Sequence, residues 1–139
     1  MPEAYPPIHS RRASTENEQI LDGCGKCLFP GGMIHHTMIV AFDQPIPASE
    51  LDQYLKEFEE LVRGSGLVES FAARHHVRVP GDDHAPVAVA SAVLQLRLTD
   101  LDALNATFTM PGAVDLIRRW QGRHPYKAIW VNHEPLPLA

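Results

Sequence analysis

The chain has 139 residues, 45% of them apolar and 21% charged, and this size suits one globular domain rather than two. Its 12 Lys and Arg against 17 Asp and Glu give a net charge of −5, which argues against a nucleic-acid or anionic-membrane binder, because both partners need clustered basic side chains. No apolar run reaches the roughly 20 residues that a membrane span needs.

The first 32 residues differ in composition from the rest of the chain. They are rich in Pro and Gly, contain a polar run from His9 to Gln19, and show no sustained apolar period. We therefore expect an extended or disordered arm over residues 1–32, followed by a folded domain over residues 33–139. The sequence does not open with a basic stretch and an apolar core, so no secretory signal is predicted and we expect a cytoplasmic protein.

The two cysteines lie in this arm as Cys24-Gly-Lys-Cys27. Such a pair is open to three interpretations: half of a zinc site, which normally needs two further Cys or His ligands, a redox pair, or a chance pairing in a Gly-rich segment. The sequence has no second Cys-x-x-Cys, which favours the third interpretation.

The pattern sharpens at Met33. Residues 33–42 are dense in Ile, Val, Thr and Phe, which predicts a strand, and apolar residues on both of its faces indicate that both are covered. Ser49 is expected to cap a helix that runs to about Arg63 and ends at the Gly64-Ser65-Gly66 segment. Its apolar residues recur at helical spacing: Leu51, Tyr54, Leu55, Phe58, Leu61 and Val62.

Two further strands are predicted over residues 67–79 and 86–98, and the turn between them is Pro80-Gly-Asp-Asp83. Thr99 with Asp102 resembles a capping box that opens a short helical segment over residues 101–108.

Pro111 suits the first turn of another helical segment, which Gly122 ends and in which Trp120 is expected to face the core. A last strand is predicted over residues 127–133.

The resulting order, β-α-β-β-α-β, predicts an α+β ferredoxin-like sandwich with one antiparallel sheet and both helices on one face. Two helices cannot cover the second face of the sheet, so we expect a homodimer in which two open sheet faces meet. Two sheets packed in this way enclose a barrel-like space, the arrangement of a dimeric α/β barrel.

The segment from His36 to Phe42 (HTMIVAF) resembles the first strand of the stress-responsive dimeric α/β-barrel (Dabb) family, which opens with a His followed by an apolar strand ending in Phe. The amphipathic helix, the hairpin and a Pro-bearing break in the second helix are also similar. The resemblance covers about Met33 to Glu134. It implies a ferredoxin-like dimeric barrel.

Some members of that family resemble cofactor-free enzymes that cyclise linear polyketides. They carry a His-Pro-x-His segment in the second helix and a Tyr on the third strand, whereas this chain has Met110-Pro-Gly-Ala113 in the first place and Ala90 or Ser91 in the second. Only the first-strand His is kept, as His36. The resemblance therefore does not carry the cyclase reaction to this chain.

Eight histidines are the main chemical feature of the sequence, and two adjacent pairs lie on the first and second predicted strands. Members of such a pair point to opposite faces, so we expect His36 and His76 to share the open face with Arg74 and Trp130. A polar group in an otherwise apolar cavity is typical of a small-molecule pocket. The alternative is that the histidines form hydrogen bonds in the dimer interface or lie in solvent.

The leading hypothesis is a dimer that binds a small, apolar or polyketide-like molecule between its sheet and flanking helix. The proposed chemistry is a cofactor-independent cyclisation, isomerisation or lyase step, with His36 and His76 as acid–base groups and Arg74 as anion partner. Further residues are expected to bind the ligand: Trp130, Tyr126, Met38, Val93 and Gln95. We expect no cofactor, nucleic acid or membrane partner.

Two alternatives remain open from the sequence. One is a non-catalytic stress-type protein for binding or assembly, in which the arm and its cysteines mediate contacts. The other is a metal-dependent site built from the histidine pairs. Neither predicted strand has the His-x-His spacing that places two ligands on one face, so its ligands would have to converge from different strands.

Overall fold

Residues 32–84 and 86–137 are described by the computed structural model, and the predicted arm, with both cysteines, lies outside them except for Gly32. The helices and strands of the described residues follow the predicted order: β1 (Ile34–Phe42), α1 (Ala48–Gly64), β2 (Ser70–His75), β3 (Ala92–Leu98), α2 (Leu101–Thr107), α3 (Ala113–Arg123) and β4 (Tyr126–His133). None of these helices has the length and hydropathy that a membrane crossing requires.

The four strands form one antiparallel sheet in the order β2-β3-β1-β4. Alternate residues of β1, beginning with Ile34, are buried under the helices, whereas Ile39 on the other face is 44% exposed. Directly opposed residues share a face, so the strand register defines the helix-free side, which we call the open face. Its residues include Thr37, Ile39, Arg74, Val93, Gln95, Ile129 and Val131.

Helices α1 and α3 pack on the other side of the sheet. The apolar face of α1 buries Leu51, Tyr54, Leu55 and Val62, as its spacing predicts. Trp120 of α3 is fully buried, which confirms its predicted place in the core. Its indole N–H donates to the Glu57 carboxylate at 3.1 Å, and a hydrogen bond from Arg119 holds the pKa of Glu57 below its usual range.

The predicted second and third strands are too long. Residues 76–84 and 86–91 carry alternating valines but lie in a connection that contains a short 3-10 helix, Pro80–Asp83. The Asp82 carboxylate holds this turn, since it accepts from the Val79 backbone N–H at 3.0 Å and lies 2.8 Å from His76 Nε2. Alternating apolar residues form a strand only where a neighbouring strand completes the hydrogen-bond ladder. The ladder between β2 and β3 ends at the pair His75 and Ala92.

The predicted helix starts are also wrong in detail. Helix α1 begins at Ala48 after Pro47, so Ser49 lies in the first turn and does not cap it. The cap of α2 is Asp100, whose extended backbone lets its side chain accept from the Ala103 N–H at 2.8 Å, and not Thr99. Helix α3 starts after Gly112, whose φ of 86° interrupts the chain beyond Pro111.

The buried Tyr54 hydroxyl makes a stability prediction. Tyr54 is fully buried among aromatic rings, and its hydroxyl meets no partner with good hydrogen-bond geometry. Burial, followed by the neighbouring Tyr126 hydroxyl, raises its pKa. An unsatisfied buried hydroxyl costs about 1–3 kcal/mol, so Tyr54→Phe should leave the free energy of unfolding unchanged or raise it by about 1 kcal/mol. Tyr54→Ala, which leaves a cavity, should lower it by about 3–5 kcal/mol. Urea denaturation measures both, and a clear loss in Tyr54→Phe would contradict this account.

Candidate functional site

A cavity of about 300 Å³ lies between the sheet and the helices. Its walls are mostly apolar and come from all three helices and from β1, β3 and β4. They include Met38, Phe58, Leu61, Leu96, Phe108, Ile117, Tyr126 and Trp130. This volume is at the lower end of the range of about 300–1,000 Å³ usual for ligand pockets, which indicates a small ligand.

His36 is the polar centre of this cavity. It is only 7% exposed, and its Nδ1 lies 2.6 Å from the Asn132 side-chain oxygen. An amide oxygen only accepts, so Nδ1 is the donor in this contact, and in the neutral tautomer Nε2 is the acceptor nitrogen. The rings of Phe108 and Trp130 lie 5.8 and 5.6 Å from the imidazole. His36 is therefore an oriented imidazole held between aromatic rings.

The other polar groups of the cavity wall are mostly engaged in structural hydrogen bonds. The Gln121 amide is paired with the backbone N–H and C=O of Tyr126, at 3.0 and 2.9 Å. The Thr107 hydroxyl donates to the Leu104 carbonyl at 2.6 Å. Burial raises the pKa of Tyr126 and keeps its phenol neutral. None of the described residues that line the cavity is Asp, Glu, Lys or Arg, so its interior carries no fixed charge at neutral pH.

The structure brings four of the predicted site residues together and separates the rest. His36, Met38, Tyr126 and Trp130 line the cavity. The others lie elsewhere: Arg74, Val93 and Gln95 are on the open face, and His76 is in the loop after β2, paired with Asp82.

The prediction that His36 and His76 share a face with Arg74 is therefore wrong. Arg74 is opposite Val93, and Val93 is opposite Ile39, so the strand register sets Arg74 on the side away from His36. A shift of one residue in register moves a side chain to the other face, and the sequence does not display register. The Arg74 guanidinium is exposed and donates to the Ala73 carbonyl at 2.7 Å.

Two residues that contact His36 were not predicted from the sequence. Asn132 is directly opposite His36 in the β1–β4 register, and Phe108 follows the end of α2. The spacing of Asn132 and Trp130 in the predicted last strand was a usable signal, because residues two apart share a face. Phe108 had no such signal, because its place beside His36 depends on how the connection between α2 and α3 packs on the sheet.

A metal centre finds no support in residues 32–84 and 86–137, where no three His, Cys, Asp or Glu side chains come together with metal-binding geometry. Cys24 and Cys27 lie outside this part of the chain.

Comparisons with known proteins identify the fold. No protein-family model matches the chain, and no curated protein matches it. Among solved structures, a dabb family protein with a ferredoxin-like fold from Mesorhizobium loti is similar at 19% identity and a TM-score of 0.57, over 76% of this chain and 99% of that one.

Two other structures extend this comparison. The hydroxynitrile lyase of Passiflora edulis is similar at 13% identity and a TM-score of 0.60, over 78% of this chain and 100% of that one. A dimeric ferredoxin-like protein of unknown function from Thermobifida fusca is similar at 12% identity and a TM-score of 0.57, over 76% of this chain and 93% of that one. The predicted α+β ferredoxin-like architecture and the resemblance to the Dabb family are thus confirmed at the level of the fold.

Proposed function

We propose that this chain is a homodimer that binds a small, uncharged and largely apolar molecule beside His36. Its ferredoxin-like fold is that of the dabb family protein described above. We further propose that this chain catalyses a cofactor-independent proton transfer of the cyclase, isomerase or lyase type. The observation that carries the proposal is the buried imidazole, which Asn132 orients within an apolar cavity.

The cavity wall defines the ligand class. A charged ligand would lose its hydration without meeting an opposite charge, which costs several kcal/mol. The rings of Phe58, Phe108 and Trp130 favour a planar or aromatic ligand. His36 Nε2 is an acceptor, so the ligand should carry one O–H donor or an acidified C–H at that end.

The same geometry supports proton transfer. In the proposed step, His36 Nε2 takes a proton from the ligand's hydroxyl or activated carbon, and the electron pair of that bond stays on the ligand. Asn132 stabilises the resulting imidazolium, because its oxygen accepts from the Nδ1–H in both protonation states. The imidazolium then returns the proton to the product, so the sequence is redox-neutral. A hydroxynitrile lyase with this fold supports the lyase variant.

The open face supports the proposed homodimer. Ile39, Val93, Ile129 and Val131 are all at least 40% exposed and lie on neighbouring strands. A contiguous apolar surface of this kind marks an interaction site. A second copy is the occupant we propose, since a protein of the same fold is described as dimeric.

Calorimetric titration with 2-naphthol and 2-naphthoate tests the ligand class. The two probes share a planar ring system but differ in charge at neutral pH. We expect 2-naphthol to bind and 2-naphthoate to bind at least tenfold more weakly, because the cavity offers no counter-charge. Trp130→Ala serves as the control that assigns the signal to this cavity. Equal or tighter binding of the carboxylate would overturn the proposed ligand class.

A further inference from the structure

Three basic side chains form a row across the open face, near the ends of three strands. His35 of β1 is directly opposite Arg97 of β3 on one side and His133 of β4 on the other. The two imidazole rings meet edge to face with their centroids 5.5 Å apart. We call Arg97, His35 and His133 the basic row.

A hydrogen-bond chain links His133 to the neighbouring strands. His133 Nδ1 lies 2.6 Å from the Glu134 carbonyl, which only accepts, so this nitrogen carries the proton. His133 Nε2 then accepts from the Thr37 hydroxyl at 2.6 Å, and the Thr37 oxygen accepts from the Gln95 amide at 2.9 Å. This chain joins β3, β1 and β4.

No carboxylate in the described part of the chain forms an ion pair with the basic row. On β2 the residue opposite Arg97 is the uncharged Ser70. Two acidic residues are nearby: Glu69, whose backbone N–H donates to the Arg97 carbonyl at 2.8 Å, and Glu134, which follows His133. Both are exposed.

The fold disfavours protonation of His35. Its Nδ1 is buried without a hydrogen-bond partner. Burial, His133 and Arg97, in that order, lower the pKa of His35 below its ordinary value of 6.5. The folded chain therefore favours neutral His35, and this preference is fully present above pH 6.5 and is lost as the pH falls through the lowered pKa.

We infer that the basic row makes the assembly of two open faces acid-sensitive, so that the dimer holds while His35 and His133 are neutral and weakens when they are protonated. The inference rests on the homodimer proposed above. Protonation turns a row with one fixed positive charge into a row with three, on a surface that a second copy covers. When a second copy covers this surface, the free-energy cost of each charge rises. The contact removes water and brings a second, identical row into the same interface.

Sedimentation equilibrium of the full chain at pH 7.5 and pH 5.5 tests the inference. We expect the dimer dissociation constant to rise at least tenfold at pH 5.5, since a shift of one pKa unit for one His between free and assembled chains already gives about tenfold. The double variant His35→Gln, His133→Gln should lose most of this dependence. His84→Gln, which replaces an exposed loop histidine, is the matched control and should keep it.

A second variant keeps the test decisive if the double variant no longer forms a dimer. Arg97→Gln removes the fixed charge of the row and keeps both histidines, so it should reduce the rise between pH 7.5 and pH 5.5. The inference is overturned if the dissociation constants at the two pH values are equal, or if both variants keep the full rise in dissociation constant. In either case the proposed dimer stands. A monomer at pH 7.5 would overturn both, whereas 2-naphthol binding reports on the cavity independently.

Discussion

Replacing His36 with alanine should lower kcat/KM by about 10²–10⁴-fold, the usual contribution of a general acid–base group. The variant loses the only imidazole among the described residues that line the cavity, and Asn132 orients that imidazole through Nδ1. The substrate for this assay is the compound that mass spectrometry identifies in the purified protein. Asn132→Ala should have a smaller effect, about tenfold or more, because it leaves the imidazole in place but releases its orientation.

His76→Ala is the matched control for this prediction. Both His36 and His76 are predicted from the sequence as acid–base groups. His76, however, lies in the loop after β2, where it is paired with Asp82. Its removal should therefore leave turnover unchanged. Unchanged turnover in His36→Ala, with circular dichroism showing an intact fold, would refute the acid–base role, and an absence of turnover in the unsubstituted chain would favour the non-catalytic binding protein.

Lysine substitutions on the open face should convert the proposed dimer to a monomer. Ile39 and Ile129 are directly opposite each other at the β1–β4 boundary and are 44% and 74% exposed. Changing both to Lys would place four unpaired ammonium groups in an interface between two copies, and an unpaired buried charge costs several kcal/mol. We expect the dissociation constant to rise at least 100-fold, as measured by light scattering after size-exclusion chromatography.

Val114→Lys is the control for the lysine substitutions. Val114 is 64% exposed but belongs to α3, on the other side of the sheet, so its substitution should leave the dimer unchanged. Neither change should unfold the chain, because the core lies between the sheet and the helices. A dimer that survives both open-face lysines would show that the two copies meet elsewhere.

The elements that the sequence predicted well are those set by local patterns. Helix α1 buries Leu51, Tyr54, Leu55 and Val62 because those positions share one side at 3.6 residues per turn, whatever the rest of the chain does. The same holds for β1, where alternation placed His36 and Met38 on one face. Local patterns failed where a strand needs a partner, as in residues 76–79, whose alternating valines have no ladder to join.

The order of the elements, the amphipathic helix faces and the histidine on an apolar strand were predictable from local patterns. The side chains that meet this histidine were not, because they come from segments distant in the chain. Strand register places Asn132 beside His36 and places Arg74 on the opposite face of the sheet. Register is a relation between segments that are distant in the chain. Hydrophobic periodicity depends on residues that are close together in the chain. A pocket depends on backbone hydrogen bonds between distant segments, so the site could be identified only from the fold.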